Sequence, residues 1–226
     1  MASRASTDDE FSELHVDSCL SRLYRIETSS SNTSLSTLQE LMDRLAADSG
    51  YPPVKSTISI SLKRSAVSAQ MLYFFRTSDL HQVAVLPKDS GSNSSSPQVL
   101  VGEDALEELI TVSLQLIPKT SWTFKSSNIL LGDVMFSLGT LDHGLNNASK
   151  ISMMEVTDLT VHSLTQMEES NRRIDEALVR HLGEEIASAC KEIRIGDGGA
   201  SSHTQGEAAV AQHRARKWIA ALSHLS

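Results

Sequence analysis

Apolar residues recur at intervals of three and four in the first regular segment of the chain, which predicts an amphipathic helix from Leu35 to Ala47. Ser34 precedes the segment and is suited to cap it, and Gly50 follows where the chain must turn. The apolar stripe of this helix consists of Leu35, Leu38, Leu41, Met42 and Leu45.

The hydrophobic period then changes from 3.6 to 2, which indicates strands. In the first of them Ile58, Ile60 and Leu62 alternate with polar residues, as expected of a half-buried strand. The short polar link at 77–79 predicts an antiparallel hairpin. The predicted strands run from Val54 to Lys63, from Met71 to Phe75, from Leu80 to Leu86 and from Gln98 to Val101.

A second helix is predicted from Glu103 to Leu116 and is closed by Pro118. Its predicted inner face carries Leu106, Leu109, Ile110 and Leu114. Three strands follow: one around Trp122 and Phe124, one over 129–141 with a break at Gly132-Asp133, and a partner from Ile151 to Val161. The segment from Asp142 to Ala148 is suited to a hairpin turn.

The final third of the sequence is predicted to be helical. One helix follows from apolar residues spaced by four, and it ends before the glycines at 196–199. A flexible linker at 196–206 leads to the last helix, from Glu207 to Leu225, with Ala211, Trp218, Leu222 and Leu225 on one stripe. The apolar residues of the earlier helix are Ile174, Leu178, Leu182, Ile186, Ala189 and Ile193.

The order of elements predicts an α+β architecture, a sheet or barrel covered by helices on one side. Residues 1–33 are interpreted as a largely disordered tail in which 20–26 could pair as an edge strand. Residues 34–226 are interpreted as a single α+β domain, with a low-complexity loop at 87–97 and the linker at 196–206.

Composition narrows the class of function. The 226 residues carry a formal net charge of −8, which argues against nucleic-acid binding by charge alone. No segment reaches the roughly 20 apolar residues of a membrane span, and the acidic N-terminus is unlike a leader. The two cysteines, Cys19 and Cys190, fit a reduced compartment, so the chain is expected to be cytosolic or nuclear.

Candidate chemistry is sparse. Asp142 and His143 lie beside Gly144 and are interpreted as a surface turn, with an acid–base pair as the alternative. The glycines at 196–199 follow a helix and are interpreted as a cap and linker instead of a phosphate loop. The histidines show no zinc-ligand spacing, and the Asn-X-Ser/Thr triplets are expected by chance. We therefore expect no catalytic, cofactor-binding or metal-ligating residues, and the pattern does not single out partner-binding ones.

The last helix carries the densest basic run, residues 213–217. We interpret it as the solvated face of an amphipathic helix, with a nuclear address or a contact for an acidic partner as the alternative. Trp218 supplies the apolar face, and we expect it to dock in the core of the chain in preference to a partner interface.

Three patterns together resemble the Mediator complex subunit 20 family, which is described as related to the TATA-binding protein. The first is the hairpin of Met71–Phe75 and Val83–Leu86, with the strand and helix after it; the third is the closing block from Ala208 to Leu225. The second and most specific is Trp122-Thr123-Phe124 followed by residues 130–140, where a Gly-Asp break introduces an alternating strand ending in glycine. The tail at the N-terminus and the serine-rich insertion near 88–97 depart from the family pattern.

The resemblance implies an antiparallel barrel-like sheet flanked by helices, to which the residue periodicity adds two helices at the C-terminus. It implies a non-enzymatic subunit of the Mediator head module in the nucleus, which pairs with subunit 18, is held through subunit 8 and links regulators to RNA polymerase II. No cofactor, membrane contact or direct sequence-specific binding to nucleic acid is expected. The alternatives are a cytoplasmic, longin-like α+β adaptor and an enzyme that uses Asp142 and His143.

Overall fold

The structure of the chain, a computed structural model, describes residues 19–26, 34–77, 82–87, 100–144, 150–161, 163–193 and 207–225. The strands are β1 (Leu20–Ile26), β2 (Val54–Ser65), β3 (Met71–Thr77), β4 (Gln82–Pro87), β5 (Leu100–Glu103), β6 (Leu116–Leu131), β7 (Val134–His143), β8 (Ile151–Asp158) and β9 (Cys190–Glu192). The helices are α1 (Ser34–Ser49), α2 (Asp104–Ser113), α3 (Met167–Leu182), α4 (Glu184–Ala189) and α5 (Glu207–Leu225).

All nine strands belong to one antiparallel sheet in the order β5-β4-β3-β2-β6-β7-β8-β1-β9. The predicted α+β class, with a helix-flanked antiparallel sheet, is confirmed. The sheet is not closed into a barrel, because the described strands end in β5 on one side and β9 on the other.

Helices cover both faces of the sheet, so the prediction of helices on one side was wrong. Met153 packs with α5 on one face, and its neighbour Met154 packs with α1 and α3 on the other. Alternation along β3 divides the sheet in the same way, since Phe75 belongs to the α5 side and Phe74 packs against α2. We call the face under α5 the α5 face and the opposite one the α1/α2 face.

β1 is a strand, but it does not lie at the edge. It pairs with β8 along 20–25 and with β9 through Tyr24–Ile26, so it is enclosed on both sides. Leu23 is buried on the α5 face and Tyr24 on the opposite face. Residues 20–26 are therefore part of the folded sheet and do not belong to a tail.

β6 and β7 form the long hairpin of the sheet. The segment around Trp122 and the segment after Ile129 are one strand of 16 residues, and Gly132-Asp133 is the turn that reverses it. Gly132 has φ of +62°, a conformation that favours glycine. At Gly139 any Cβ would overlap the backbone carbonyl of Lys125 on the neighbouring strand.

α2 ends earlier than predicted. The helix stops at Ser113, Gln115 has φ of +48°, and β6 begins at Leu116. Pro118 does not close the helix, because it lies inside β6 opposite Lys63. The register of β2 against β6 shifts at that point, and a bulge tolerates a residue that has no N–H to donate.

The helix predicted through Ile193 is divided in the structure. Gly183, with φ of +80°, separates α3 from α4. Residues 190–192 form β9, because they pair with β1 in antiparallel orientation. The backbone N–H of Ile193 then donates to the carbonyl of Leu23 at 2.9 Å. The last helix runs from Glu207 to Leu225, as predicted.

Several predicted segments lie outside the described residues. These are tail positions 1–18 and 27–33, the linker at 196–206, and all of the loop at 87–97 except Pro87, which ends β4.

Candidate functional site

α5 packs against one face of the sheet through Trp218, which is completely buried. The indole ring lies 4.9 Å from the ring of Phe124 on β6, at an angle of 44°. Its Nε1 donates a hydrogen bond to Oε1 of Glu155 on β8 at 3.3 Å. The expectation that Trp218 docks in the core of the chain is therefore confirmed.

Glu155 and Arg214 form a bidentate ion pair beneath α5. Arg214 Nε donates to Glu155 Oε1 at 2.7 Å, and its Nη2 donates to Oε2 at 2.8 Å. Burial by itself raises the pKa of the Glu155 carboxyl, but Arg214 and the Trp218 bond outweigh burial and hold that pKa below its usual range. The carboxylate is thus ionised in the core and fixes the position of α5.

The basic run at 213–217 is not a solvated face, and that prediction was wrong. Arg214 is buried on Glu155, and Lys217 Nζ donates to the backbone carbonyl of Ser21 on β1. Burial, with repulsion from Lys217 and Arg216, lowers the pKa of His213 to about 4. Arg214 and Lys217 of this run therefore help to dock the helix on the sheet.

Asp142 and His143 do not form an acid–base pair. They end β7 and lie in a strand instead of a loop, so their side chains point to opposite faces of the sheet. The His143 ring stacks on Trp122 with centroids 5.4 Å apart, and its Nε2 lies 2.7 Å from Thr120 Oγ1. Asp142 lies opposite Thr123 in the register of β6 and β7.

The other candidate sites contribute no reactive cluster within the described residues. No group of three or more His, Cys, Asp or Glu side chains is placed there to hold a metal ion. Both cysteines are buried and neither forms a disulfide, and burial raises the pKa of the Cys190 thiol to about 11. The glycines at 196–199 and the Asn-X-Ser/Thr triplets at 93–95 and 147–149 lie outside the described residues, as do Asn32 and Thr33 of the triplet at 32–34.

Among the helical residues whose side chains the structure describes, those on the outer side of α2 include the most exposed large apolar ones. Leu109 and Leu114 were predicted to lie on the inner face, but Leu109 is 66% exposed and Leu114 is 37% exposed. Val112 is 76% exposed and lies one turn from Leu109. Only Leu106 and Ile110 of the predicted inner face pack against the core.

Val67, in the turn between β2 and β3, extends this surface at the C-terminal end of α2. It is 76% exposed, and its turn is tied to the end of the helix. Ser65 Oγ donates to the carbonyl of Leu114 at 2.9 Å, and the N–H of Ala66 donates to the carbonyl of Gln115 at 3.1 Å. We call Leu109, Val112, Leu114 and Val67 the α2 patch.

Acidic side chains flank the α2 patch. Glu108 and Glu103 are exposed, whereas Glu107 is mostly buried between Lys63 at 2.7 Å and Arg76 at 2.9 Å. Helix α2 contains no Lys, Arg or His. The sequence alone could have revealed this surface, because apolar residues cover more of α2 than one face of a helix can bury.

Comparison with known proteins gives a fold likeness only. No protein-family model and no curated protein matches the chain. The PH1819 protein of Pyrococcus horikoshii OT3 is similar over 78% of this chain and 94% of its own, with 13% identity and a TM-score of 0.44. A protein of Bacillus halodurans described as a putative adenylate cyclase is similar over 82% and 97%, with 9% identity and a TM-score of 0.42.

A third solved structure, an RNA triphosphatase of S. pombe, is similar over 72% of this chain and 64% of its own, with 8% identity and a TM-score of 0.31. At these identities and scores the likenesses carry no argument about function. Separately, none of the helices in the described ranges is long and apolar enough to cross a membrane.

Proposed function

We propose that this chain is a non-enzymatic subunit of the Mediator coactivator complex, belongs to its head module in the nucleus, and acts by protein–protein contact. Its proposed partners are Mediator subunits 18 and 8, through which it links regulators to RNA polymerase II. It binds no DNA sequence directly, in keeping with a net charge of −8.

The hairpin of β6 and β7 carries the proposal. The residues on which the family resemblance depends, 130–140, form the turn at Gly132-Asp133 and the alternating strand after it. The apolar positions of that strand, Val134, Phe136 and Leu138, are buried on the α1/α2 face. Their burial explains why apolar residues alternate in this part of the family pattern.

Two features of the molecule favour a role in assembly. α5 occupies its face of the sheet with Trp218 and the Glu155–Arg214 pair, so buried charges there stabilise the fold. The α2 patch instead leaves apolar side chains in water beside carboxylates, which is typical of an interaction surface.

Co-purification tests the proposal. The full chain with an affinity tag is expressed in cells of its source, and nuclear extract is analysed by mass spectrometry beside an unrelated tagged protein of similar charge. We expect subunits 18 and 8 to be enriched with this chain alone. Recovery of no Mediator subunit would refute the proposal, and a fluorescent fusion confined to the cytoplasm would favour the cytoplasmic adaptor instead.

A further inference from the structure

We propose that the α2 patch binds an amphipathic helix of a partner protein, one whose apolar stripe is flanked by Lys and Arg side chains. The inference rests on the proposed function only in that the chain acts by protein contact, and it does not depend on which complex the chain joins.

The shape of the patch favours a helical partner. Leu109 and Val112 lie three residues apart on α2, with Ala105 a further turn before Leu109 and also exposed. Side chains at this spacing form a ridge that fits the groove between the ridges of another helix. Since the patch holds only a few large side chains, it suits one helix of a partner and not a complete interface of about 800 Å² per side.

The patch is built on a fixed support, so binding requires little reorganisation. Leu106 and Ile110 anchor α2 in the core from its inner side. Lys63 reaches Glu107 at 2.7 Å and Thr111 Oγ1 at 3.0 Å, which holds the helix against β2. A surface already in its bound conformation loses less entropy when a partner docks.

Charge determines the chemistry of the partner. Glu108 is exposed and lies one turn from Val112, and Glu103 is exposed at the start of the helix. Lys63 Nζ lies 3.0 Å from Thr111 Oγ1 in the last turn of α2, but it is paired with Glu107 at 2.7 Å and leaves the two exposed carboxylates without a neutralising charge from that side chain. Lysine and arginine beside the apolar stripe of a partner would meet these carboxylates, whereas acidic residues there would be repelled.

Three designed peptides test the inference with the full-length protein. The first is an amphipathic helix with a leucine stripe flanked by lysine; the second has glutamate in place of lysine; the third has the composition of the first in scrambled order. Fluorescence anisotropy at low and moderate salt should show binding of the first at least tenfold tighter than of the other two. Equal binding of the first and third would overturn the inference, because the acidic protein would then attract any cationic peptide.

Variants locate the site. The double variant Leu109→Ser with Val112→Ser should weaken the lysine peptide at least tenfold, while Val179→Ser, at an exposed valine of α3, should leave binding unchanged. Glu108→Lys should weaken the lysine peptide and strengthen the glutamate peptide. Circular dichroism confirms that each variant is folded, and unchanged binding by the double variant would refute the site.

The two proposals fail separately. Peptide binding at the α2 patch without co-purification of Mediator would refute the assignment to that complex and leave the site standing. Co-purification that survives the double variant, with no selective peptide binding, would refute the site and leave the assignment standing.

Discussion

Glu155 and Arg214 meet where α5 is pressed against the sheet, and both side chains are buried. Two charges in such a place have lost their hydration, and only their mutual attraction and hydrogen bonds offset that cost. The pair therefore fixes how α5 is placed along the sheet. Either residue without the other would be an uncompensated buried charge, which destabilises the fold.

The Glu155→Gln variant should lower the free energy of unfolding by about 3–5 kcal/mol, because it leaves the Arg214 guanidinium buried without a counter-charge. The double variant Glu155→Leu with Arg214→Met should recover much of this loss. Urea denaturation followed by tryptophan fluorescence measures both, and Glu169→Gln, at a half-exposed carboxylate of α3 that pairs with Arg172 and Arg173, is the control. Additive losses in the double variant would show that the two side chains do not act as a pair.

His213 should make stability dependent on pH. Its pKa is about 4 in the folded chain and 6.5 in the absence of burial, so between these values the unfolded chain binds a proton that the folded chain does not. Stability should therefore fall as the pH falls through this window, by on the order of 1–3 kcal/mol. His213→Gln should flatten the difference in unfolding free energy between about pH 7 and about pH 5. A variant with the wild-type pH dependence would show that another group is responsible.

The sequence could not reveal this role for the basic run. A cluster of His, Arg and Lys on an amphipathic helix is usually solvated, and the partner of Arg214 lies 59 residues earlier in the chain on β8. Trp218 was predictable as a core residue because its size and helical position require burial. The sequence does not show the long-range contact between β8 and α5 that places Glu155 under the helix.

At the scale of elements, hydrophobic periodicity predicted the position of a helix or strand well where that element buries a single face. α1, α5 and the strands β2 to β4 lie close to their predicted positions because each has a single buried stripe or a clear alternation. It failed at residues 190–192, where a helical spacing continues but pairing with β1 imposes a strand. It also failed for α2, where apolar residues that looked like core lie in water.

Gly139 should be intolerant of any side chain. A Cβ there would overlap the Lys125 carbonyl on β6, so Gly139→Ala must push apart the two central strands. We expect a loss of at least about 1–3 kcal/mol, as for other overpacked sites, measured by urea denaturation. Gly132→Asn is the matched control, because the turn has open space and asparagine tolerates a positive φ. Equal stability of Gly139→Ala and wild type would contradict the close approach of β6 and β7.

For the whole molecule, the order of strands in the sheet differs most from their order along the chain at β1. β1 comes from the N-terminal end of the described chain, yet it lies between β8 and β9 and receives contacts from α3 and α5. Arg22 Nε and Nη2 donate to Glu192 on β9 at 2.8 and 2.7 Å, which connects the first strand to the last. No local pattern encodes such pairing, so a strand was predictable at 20–26 and its neighbours were not.

This topology predicts that removal of β1 prevents folding of the remaining chain. A chain that begins at residue 34 loses the buried side chains of Leu20, Leu23, Tyr24 and Ile26. Burial of large apolar side chains is worth about 1.5–3 kcal/mol each, so the loss is comparable to the whole stability of about 5–15 kcal/mol of a typical domain. The edges of β8 and β9 would also be left without their partner strand.

Near-ultraviolet circular dichroism and thermal melting measure the outcome. The chain that begins at residue 34 should lack a cooperative transition and the signal of an ordered Trp218. A chain that begins at residue 19 keeps β1 and is the matched control, which should melt cooperatively. A peptide of residues 19–33 added to the shorter chain should restore the transition, because β1 is held by pairing and side-chain contacts with β8 and β9. A cooperative melt of the shorter chain alone, close to that of the control, would mean that the sheet is complete without its first strand.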